Sequence, residues 1–256
     1  MTSATDLIVL LLPALAAGCL VAATHVPLGI EVLKRGIIFI DLAIAQMAAM
    51  GVVIGHVAFH YSEQIQSLVL ALVFALSGGG LFAWLEAKQV KHLEAMIGAI
   101  FVVSASITIL LLAKDPHGIE AMDKLLAGQI LWAKWWPELI TTLIVYLVIL
   151  LIWFKRNASN SSLFYFIFPI TITFSVQIAG IYLVFASLIM PAIATSQISG
   201  KNKLLCGYLV ALISIILGLI FAVIFDLPTG PMIVSTYFII SIVLLISSYR
   251  ANNVSS

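Results

Sequence analysis

The stretch RGIIFIDLAIAQMAAMGVVIGH, residues 35–56, decides the class of fold. It is long and apolar enough to cross a bilayer, whose hydrocarbon core is spanned by about 20 apolar residues in a helix. It nevertheless carries Asp41 and Gln46 inside the apolar run. An aspartate at the centre of a membrane-embedded helix costs about 2.5–3.5 kcal/mol on insertion scales, so its presence points to a partner or a function.

The composition of the chain agrees with a membrane location. Of its 256 residues, 63% are hydrophobic and only 9% are charged, and the mean hydropathy is +1.20. An average soluble domain has about 25% charged residues, so this chain has too few to cover a water-exposed surface. The net charge of +1 offers no basic surface for nucleic acid. The sequence therefore predicts an integral membrane protein surrounded by lipid.

The pattern of apolar runs predicts an all-α polytopic membrane protein with about 8–9 transmembrane helices. The tract 163–198 is too long for one span, and we divide it near Gly180. An outside N-terminus and a cytoplasmic C-terminus then place most lysines and arginines on the cytoplasmic side, as the positive-inside bias requires. No long polar tail or Pro-rich linker is present, which predicts a single transmembrane domain over residues 1–256. The predicted spans are 6–24, 36–60, 66–86, 93–113, 137–154, 164–179, 181–198, 203–224 and 231–249.

The polar residues of the second span allow two interpretations. Asp41 and Gln46 are either groups that hydrogen-bond another helix or parts of a site for a ligand. We favour a site for Asp41, because intramembrane carboxylates usually face a cavity, a partner or an ion path. Gln46 lies about 140° around the helix from Asp41, so the two need not serve one site. The small residues near the Asp41 face would let another helix approach closely: Ala45, Ala48, Gly51 and Gly55.

A second candidate site lies in the outer segment 114–138, between two spans. His117, Glu120 and Asp123 follow one another at helical spacing, and imidazole with carboxylate suits a divalent transition metal. A solvated polar surface explains the same residues. The three tryptophans at the end of this segment suit a membrane interface: Trp132, Trp135 and Trp136.

The sequence lacks the common signatures of catalysis. It has no G-x-x-x-x-G-K-[ST] phosphate-binding loop, no nucleophile elbow and no H-E-x-x-H metal motif. The pattern favours a conduit, not an enzyme, and predicts a transporter subunit without its own ATPase motif.

Four segments carry a resemblance to a known family. They are KRGIIFIDLAIAQMAAMG (34–51), LLAGQIL (125–131), IAGIYLVFASLIMPAIAT (178–195) and DLPTGPMIV (226–234). Together and in this order they resemble the membrane permease subunit of the zinc/manganese-type metal-ion ABC transporter family. The chain is most similar to a branch in which Phe-x-Asp-Leu-Ala-x-Ala-Gln replaces the usual Gly-Asp-x-x-x-His.

The resemblance implies the metal-type ABC importer permease fold and a multi-pass protein of the bacterial plasma (inner) membrane. It also implies a homodimer that works with cytoplasmic ABC ATPase subunits and an extracytoplasmic metal-binding protein, by alternating access. No permanently bound cofactor is expected, and the divalent metal ion is the transported substrate. Asp41 fits the family's aspartate on the metal path, while Ala45 takes the place of its histidine and Gln46 follows.

The predicted function is therefore that of a permease subunit importing divalent transition-metal ions such as zinc, manganese or iron. Asp41 would be a transient ligand or gate, Gln46 a second polar contact, and His117 and Glu120 metal ligands near the outer mouth. One alternative is a permease for a metal chelate or another small solute. Another is a non-transporting membrane scaffold in which Asp41 is bonded to a neighbouring helix.

Overall fold

The computed structural model describes residues 4–59, 64–113, 115–155, 161–198, 200 and 202–254. Within these ranges the chain forms nine α-helices and two short irregular helical turns, Ile130–Trp132 and Trp135–Leu139, without any β-strand. The predicted all-α class is confirmed. The helices are α1 (Ala4–Arg35), α2 (Ile40–Phe59), α3 (Gln64–Ala87), α4 (Leu93–Leu112), α5 (Gly118–Ala127), α6 (Ile140–Lys155), α7 (Ser161–Ala194), α8 (Asn202–Phe225) and α9 (Thr229–Val254).

In the described part of the chain, eight helical segments are long and apolar enough to cross a membrane. Only α5, in the predicted outer segment, does not qualify, and eight spans agree with the expected number of about 8–9. The helix α7 has 34 residues, which as a straight helix would be about 51 Å long against a hydrocarbon core of about 30 Å. Its backbone leaves the helical conformation at Gly180 (φ 75°, ψ 166°), where the sequence predicts a division. The membrane crossings of its two parts, and the orientation, stay predictions.

The predicted end of the first span is wrong, because α1 continues beyond residue 24 to Arg35. The second span begins at Ile40 instead of residue 36, so Asp41 lies in the first turn of α2, near one end of the candidate span Ile40–Val57. The helix continues although Pro27 lacks an N–H group, and a proline normally ends or kinks a helix. Here the carbonyl oxygen of Ala23, which Pro27 leaves without its helical donor, accepts a hydrogen bond from the Tyr208 hydroxyl at 3.1 Å. Tyr208 of α8 thus supports the continuation of α1 beyond Pro27.

We expect Tyr208→Phe to destabilise the protein by about 1 kcal/mol, since it removes this hydrogen bond from an apolar environment. Thermal unfolding of the purified protein in detergent measures the loss. Tyr182→Phe is the matched control, because the Tyr182 side chain is 50% exposed and should tolerate the change. Equal unfolding temperatures for the two variants would show that the hydrogen bond to Ala23 does not support α1.

The described residues pack as two compact units. In the first, α1 packs against α8, and α8 packs against α9. This unit is drawn from Met1–Arg35, Ala127–Tyr146 and Ile178–Ser256, and the second is drawn from Gly36–Leu126 and Leu147–Gln177. The interpretation of residues 1–256 as one transmembrane domain stays a prediction.

The second unit is built around α2, which packs against both α3 and α4. The close approach predicted for the small-residue face of α2 is confirmed at Gly51. A Cβ atom there would lie 2.7 Å from the carbonyl oxygen of Leu70 in α3, too close for a larger residue. This packing buries α2 on several sides, including the first turn that carries Asp41.

Candidate functional site

Asp41 is a fully buried carboxylate at the start of α2. Its side chain is 0% exposed, and neither carboxylate oxygen has a hydrogen-bond partner within the described residues. The backbone N–H groups of Asp41 and Leu42 lie near the carboxylate without reaching hydrogen-bond geometry. An ionised carboxylate removed from water is costly unless another group compensates its charge. Asp41 therefore requires a cation or a proton.

Glu94 lies beside this position, in the first turn of α4. Its Oε1 atom accepts a hydrogen bond of 3.0 Å from the backbone N–H of Phe39, directly before α2. Its Oε2 atom is buried and, within the described residues, has no partner. The Glu94 carboxylate is close enough to interact electrostatically with that of Asp41. The starts of α2 and α4 thus bring two carboxylates together.

The sequence shows Glu94 only as an acidic residue at the start of the fourth span, where any helix favours one. Its proximity to Asp41 is produced by the packing of α2 against α4 and has no local pattern in the sequence. The one signal in the sequence that could have indicated the pair is that Asp41 and Glu94 both lie at the start of their predicted spans.

Gln46 is also buried, with 3% exposure, and its Oε1 atom has no partner in the described part of the chain. It follows Asp41 by five residues in a regular helix, so it lies about 7.5 Å further along the axis and about 140° around it. Gln46 and Asp41 therefore face different directions, as the helical spacing predicts. Its part in a metal site stays a prediction.

His117 and Glu120 form an exposed pair at the start of α5. The Nδ1 atom of His117, which precedes the helix, lies 3.9 Å from Oε2 of Glu120, and the two side chains are 84% and 63% exposed. The Oε1 atom of Glu120 forms a salt bridge of 2.7 Å with the ammonium group of Lys124. The hydrogen bond and charge of Lys124 hold the pKa of Glu120 below its usual range. A metal ion at Glu120 would therefore have to compete with Lys124.

This pair lies near the far end of α2 from Asp41. The Oδ1 atom of Asp115 accepts a hydrogen bond from the backbone N–H of His117. The Oδ2 atom of the same side chain lies 3.9 Å from Nε2 of His56. His56 is in the last turn of α2, about 22 Å along the helix from Asp41. The predicted ligands Asp41 and His117 thus do not share a site. Among the residues that the structure describes, no three His, Cys, Asp or Glu side chains form a group able to hold a metal ion.

His25 is a second buried polar residue that the sequence reasoning missed. It lies in α1 beyond the predicted end of the first span and is 0% exposed. Its Nδ1 atom lies 2.7 Å from the hydroxyl oxygen of Ser187. Because the Ser187 hydroxyl donates its hydrogen to the Val184 carbonyl, it accepts the proton of His25 Nδ1–H. This hydrogen bond joins α1 to the second part of α7.

These features, eight apolar helices with a buried carboxylate at a helix start, define a polytopic membrane protein with an intramembrane polar site. A family model described as the ABC 3 transport family matches residues 8–159 and 155–250, and the chain belongs to this family. It is thus a membrane-spanning permease subunit of an ABC importer, as the resemblance implies. Its predicted location as a multi-pass protein of the bacterial inner membrane is confirmed as well.

A curated relative is the high-affinity zinc uptake system membrane protein ZnuB of Haemophilus influenzae. It is 22% identical over 247 residues, which cover 88% of this chain and 92% of the relative. The fold is similar to PsaBC from Streptococcus pneumoniae in complex with Fab, with a TM-score of 0.72, 20% identity and coverage of 92% and 90% of the two chains. It is also similar to an inward-facing metal-chelate type ABC transporter, with a TM-score of 0.73, 15% identity and coverage of 96% and 90%. The predicted permease fold is confirmed.

Proposed function

We propose that this permease imports divalent transition-metal ions, with Asp41 on the path of the ion. The observation that carries the proposal is the buried Asp41 carboxylate, which has no hydrogen-bond partner among the described residues and lies beside Glu94. Such a carboxylate is stabilised by a passing cation. The name of the relative ZnuB, a zinc uptake protein, supports the same class of substrate.

The proposed transport uses alternating access. Two copies of the chain would form the pore, two cytoplasmic ATPase subunits would hydrolyse ATP, and an extracytoplasmic protein would deliver the ion. The chain has no phosphate-binding loop of its own, so we assign no enzymatic activity to it. We also assign it no permanent cofactor, because the metal ion is the cargo. Binding at Asp41 has to be weak, since an ion that is held tightly cannot leave.

The remaining predicted residues receive separate roles. His117 and Glu120, exposed at the start of α5, would attract the ion near the outer mouth and not share it with Asp41. Gln46 would offer an amide oxygen one and a half turns further along α2. These roles rest on residue type and position.

The two alternatives differ in their support. A scaffold in which Asp41 is bonded to another helix requires a hydrogen-bond partner for its carboxylate, and the described residues provide none. A permease for a metal chelate has a specific observation in its favour, the fold likeness to a metal-chelate type transporter. The chelate permease remains the second candidate. It differs from the proposed function in that the metal is transported as a chelate and not as a free ion.

The test is transport by the assembled complex. We expect membrane vesicles that contain the permease, its ATPase and its binding protein to accumulate radioactive manganese, zinc or iron only when ATP is supplied. Vesicles with an ATPase unable to hydrolyse ATP are the control. Accumulation of a chelated metal but of no free ion would favour the chelate permease. Absence of ATP-dependent uptake for all of them would contradict the proposal.

A further inference from the structure

We infer that Glu94 is the second carboxylate of the cation site. With Asp41 it forms an all-oxygen ligand set that fits divalent ions such as manganese(II) or iron(II) nearly as well as zinc. This inference rests on the proposed function and names the substrate class of the same site. It follows from the contacts of Glu94, the charge of the pair and the types of neighbouring side chains.

The contacts of Glu94 leave one oxygen free for a ligand. Its Oε1 atom is held by the backbone N–H of Phe39 at 3.0 Å, which fixes the position of the carboxylate at the start of α2. Its Oε2 atom is buried and has no hydrogen-bond partner in the described residues, as is true of both oxygens of Asp41. A carboxylate that is anchored through one oxygen and unpartnered at the other has the geometry of a preorganised ligand.

The charge of the pair, when both carboxylates are ionised, favours binding of a cation. The two carboxylates interact electrostatically, and like charges repel strongly where water is excluded. Each of the two helix N-termini present there, those of α2 and α4, is equivalent to roughly half a positive charge. These dipoles offset only part of the charge of about −2 that the two carboxylates carry when both are ionised. A divalent cation removes the rest.

Among the described residues, no His or Cys side chain joins this pair as a third ligand. The residue one turn after Asp41, where imidazole would share its face, is Ala45, which is buried with 1% exposure. His92 caps the start of α4 but is exposed, and within the described residues it forms no three-member cluster with Asp41 and Glu94. Oxygen-only sites suit hard cations, and an imidazole is what gives zinc its larger advantage. The site should therefore bind Mn²⁺ nearly as well as Zn²⁺.

The experiment measures binding of Mn²⁺ itself to the purified transporter complex in detergent. Electron paramagnetic resonance reports the free Mn²⁺ that remains, so no transport is needed. Glu94→Gln keeps an oxygen that can accept the Phe39 N–H but loses the charge. Glu138→Gln is the matched control, because Oε2 of Glu138 also accepts a backbone N–H, from Lys134 at 3.1 Å. The unfolding temperature of each variant shows whether it is folded.

We expect Glu94→Gln to weaken Mn²⁺ binding at least about tenfold and Glu138→Gln to leave it unchanged. Zn²⁺ should displace Mn²⁺ with an affinity within about tenfold of that of Mn²⁺. Unchanged binding in a folded Glu94→Gln variant, while Asp41→Asn abolishes it, would overturn this inference and leave the proposed function intact. Binding unaffected by either variant would contradict the role of Asp41 as well.

Two further results would overturn the inference. If the wild-type complex bound no Mn²⁺ at any concentration up to the millimolar range, the pair would share a proton and not a metal ion. If Zn²⁺ displaced Mn²⁺ at least about 100-fold more effectively, the site would contain a nitrogen or sulfur ligand that the oxygen-only set lacks.

Discussion

Asp41→Asn is expected to reduce metal uptake at least about 100-fold, to the background of cells without the transporter. The substitution preserves the size of the side chain and removes only its charge. Changing a group that merely supports a metal ligand already costs about 10–100-fold in metal affinity or activity, so loss of a ligand charge in a buried site should cost more. Uptake of radioactive manganese, zinc and iron by cells that express the complete transporter provides the measurement.

The control for this variant is Asp226→Asn, in the exposed turn between α8 and α9. Asp226 has a positive φ of 51°, a conformation that asparagine also adopts readily, so this change should leave uptake at the wild-type level. Equal amounts of the three proteins in the membrane fraction have to be shown. Wild-type uptake by Asp41→Asn would remove Asp41 from the ion path.

The largest effect on stability is expected for Gly180→Ala. Gly180 has φ 75°, a conformation that costs an L-residue about 1–2 kcal/mol. A Cβ atom there would also overlap the backbone of Gly128, which approaches it from the turn after α5. Overpacking of this kind adds about 1–3 kcal/mol. We therefore expect a loss of about 2–5 kcal/mol, measured as a lower unfolding temperature and a lower yield of folded protein.

Two further glycine variants test this explanation. Gly128→Ala should cause a similar loss, because Gly128 has φ 68° and its Cβ atom would overlap the carbonyl of Ala179. Gly80→Ala is the control, since Gly80 lies within α3 and a Cβ atom there meets no heavy atom within 4 Å. Wild-type stability of Gly180→Ala would show that the contact between the two glycines does not exist in the folded protein.

Much of the fold could be predicted from the sequence, because a membrane imposes strong rules on composition and length. The shortage of charge indicated the membrane, the apolar runs indicated about 8–9 spans, and the length of the tract 163–198 with its glycine located the break in α7. The end of α1 could not be predicted. Beyond Pro27 the helix is supported by a hydrogen bond from the Tyr208 hydroxyl to the Ala23 carbonyl. Tyr208 is far from Pro27 in the chain, so the sequence around Pro27 does not reveal this donor.

The candidate site was predicted in part. Asp41 was found because the cost of burying a carboxylate makes its presence in an apolar run informative. The helical period also predicted that the side chains of Gln46 and Asp41 point in different directions from α2. Glu94 was missed, since only the packing of α2 against α4 brings it there. Asp41 and His117 lie near opposite ends of α2, and this separation was also not predicted. The sequence shows which residues can bind a metal, but only the packing of the helices shows which of them lie close together.

The most direct test of the proposed function is the elemental content of cells that lack this protein. We expect their content of manganese, zinc or iron to fall several-fold in medium poor in that metal. The wild-type chain should restore it, whereas Asp41→Asn, produced at the same level, should not. Unchanged contents of all three metals in cells without the protein would contradict its function as a metal importer.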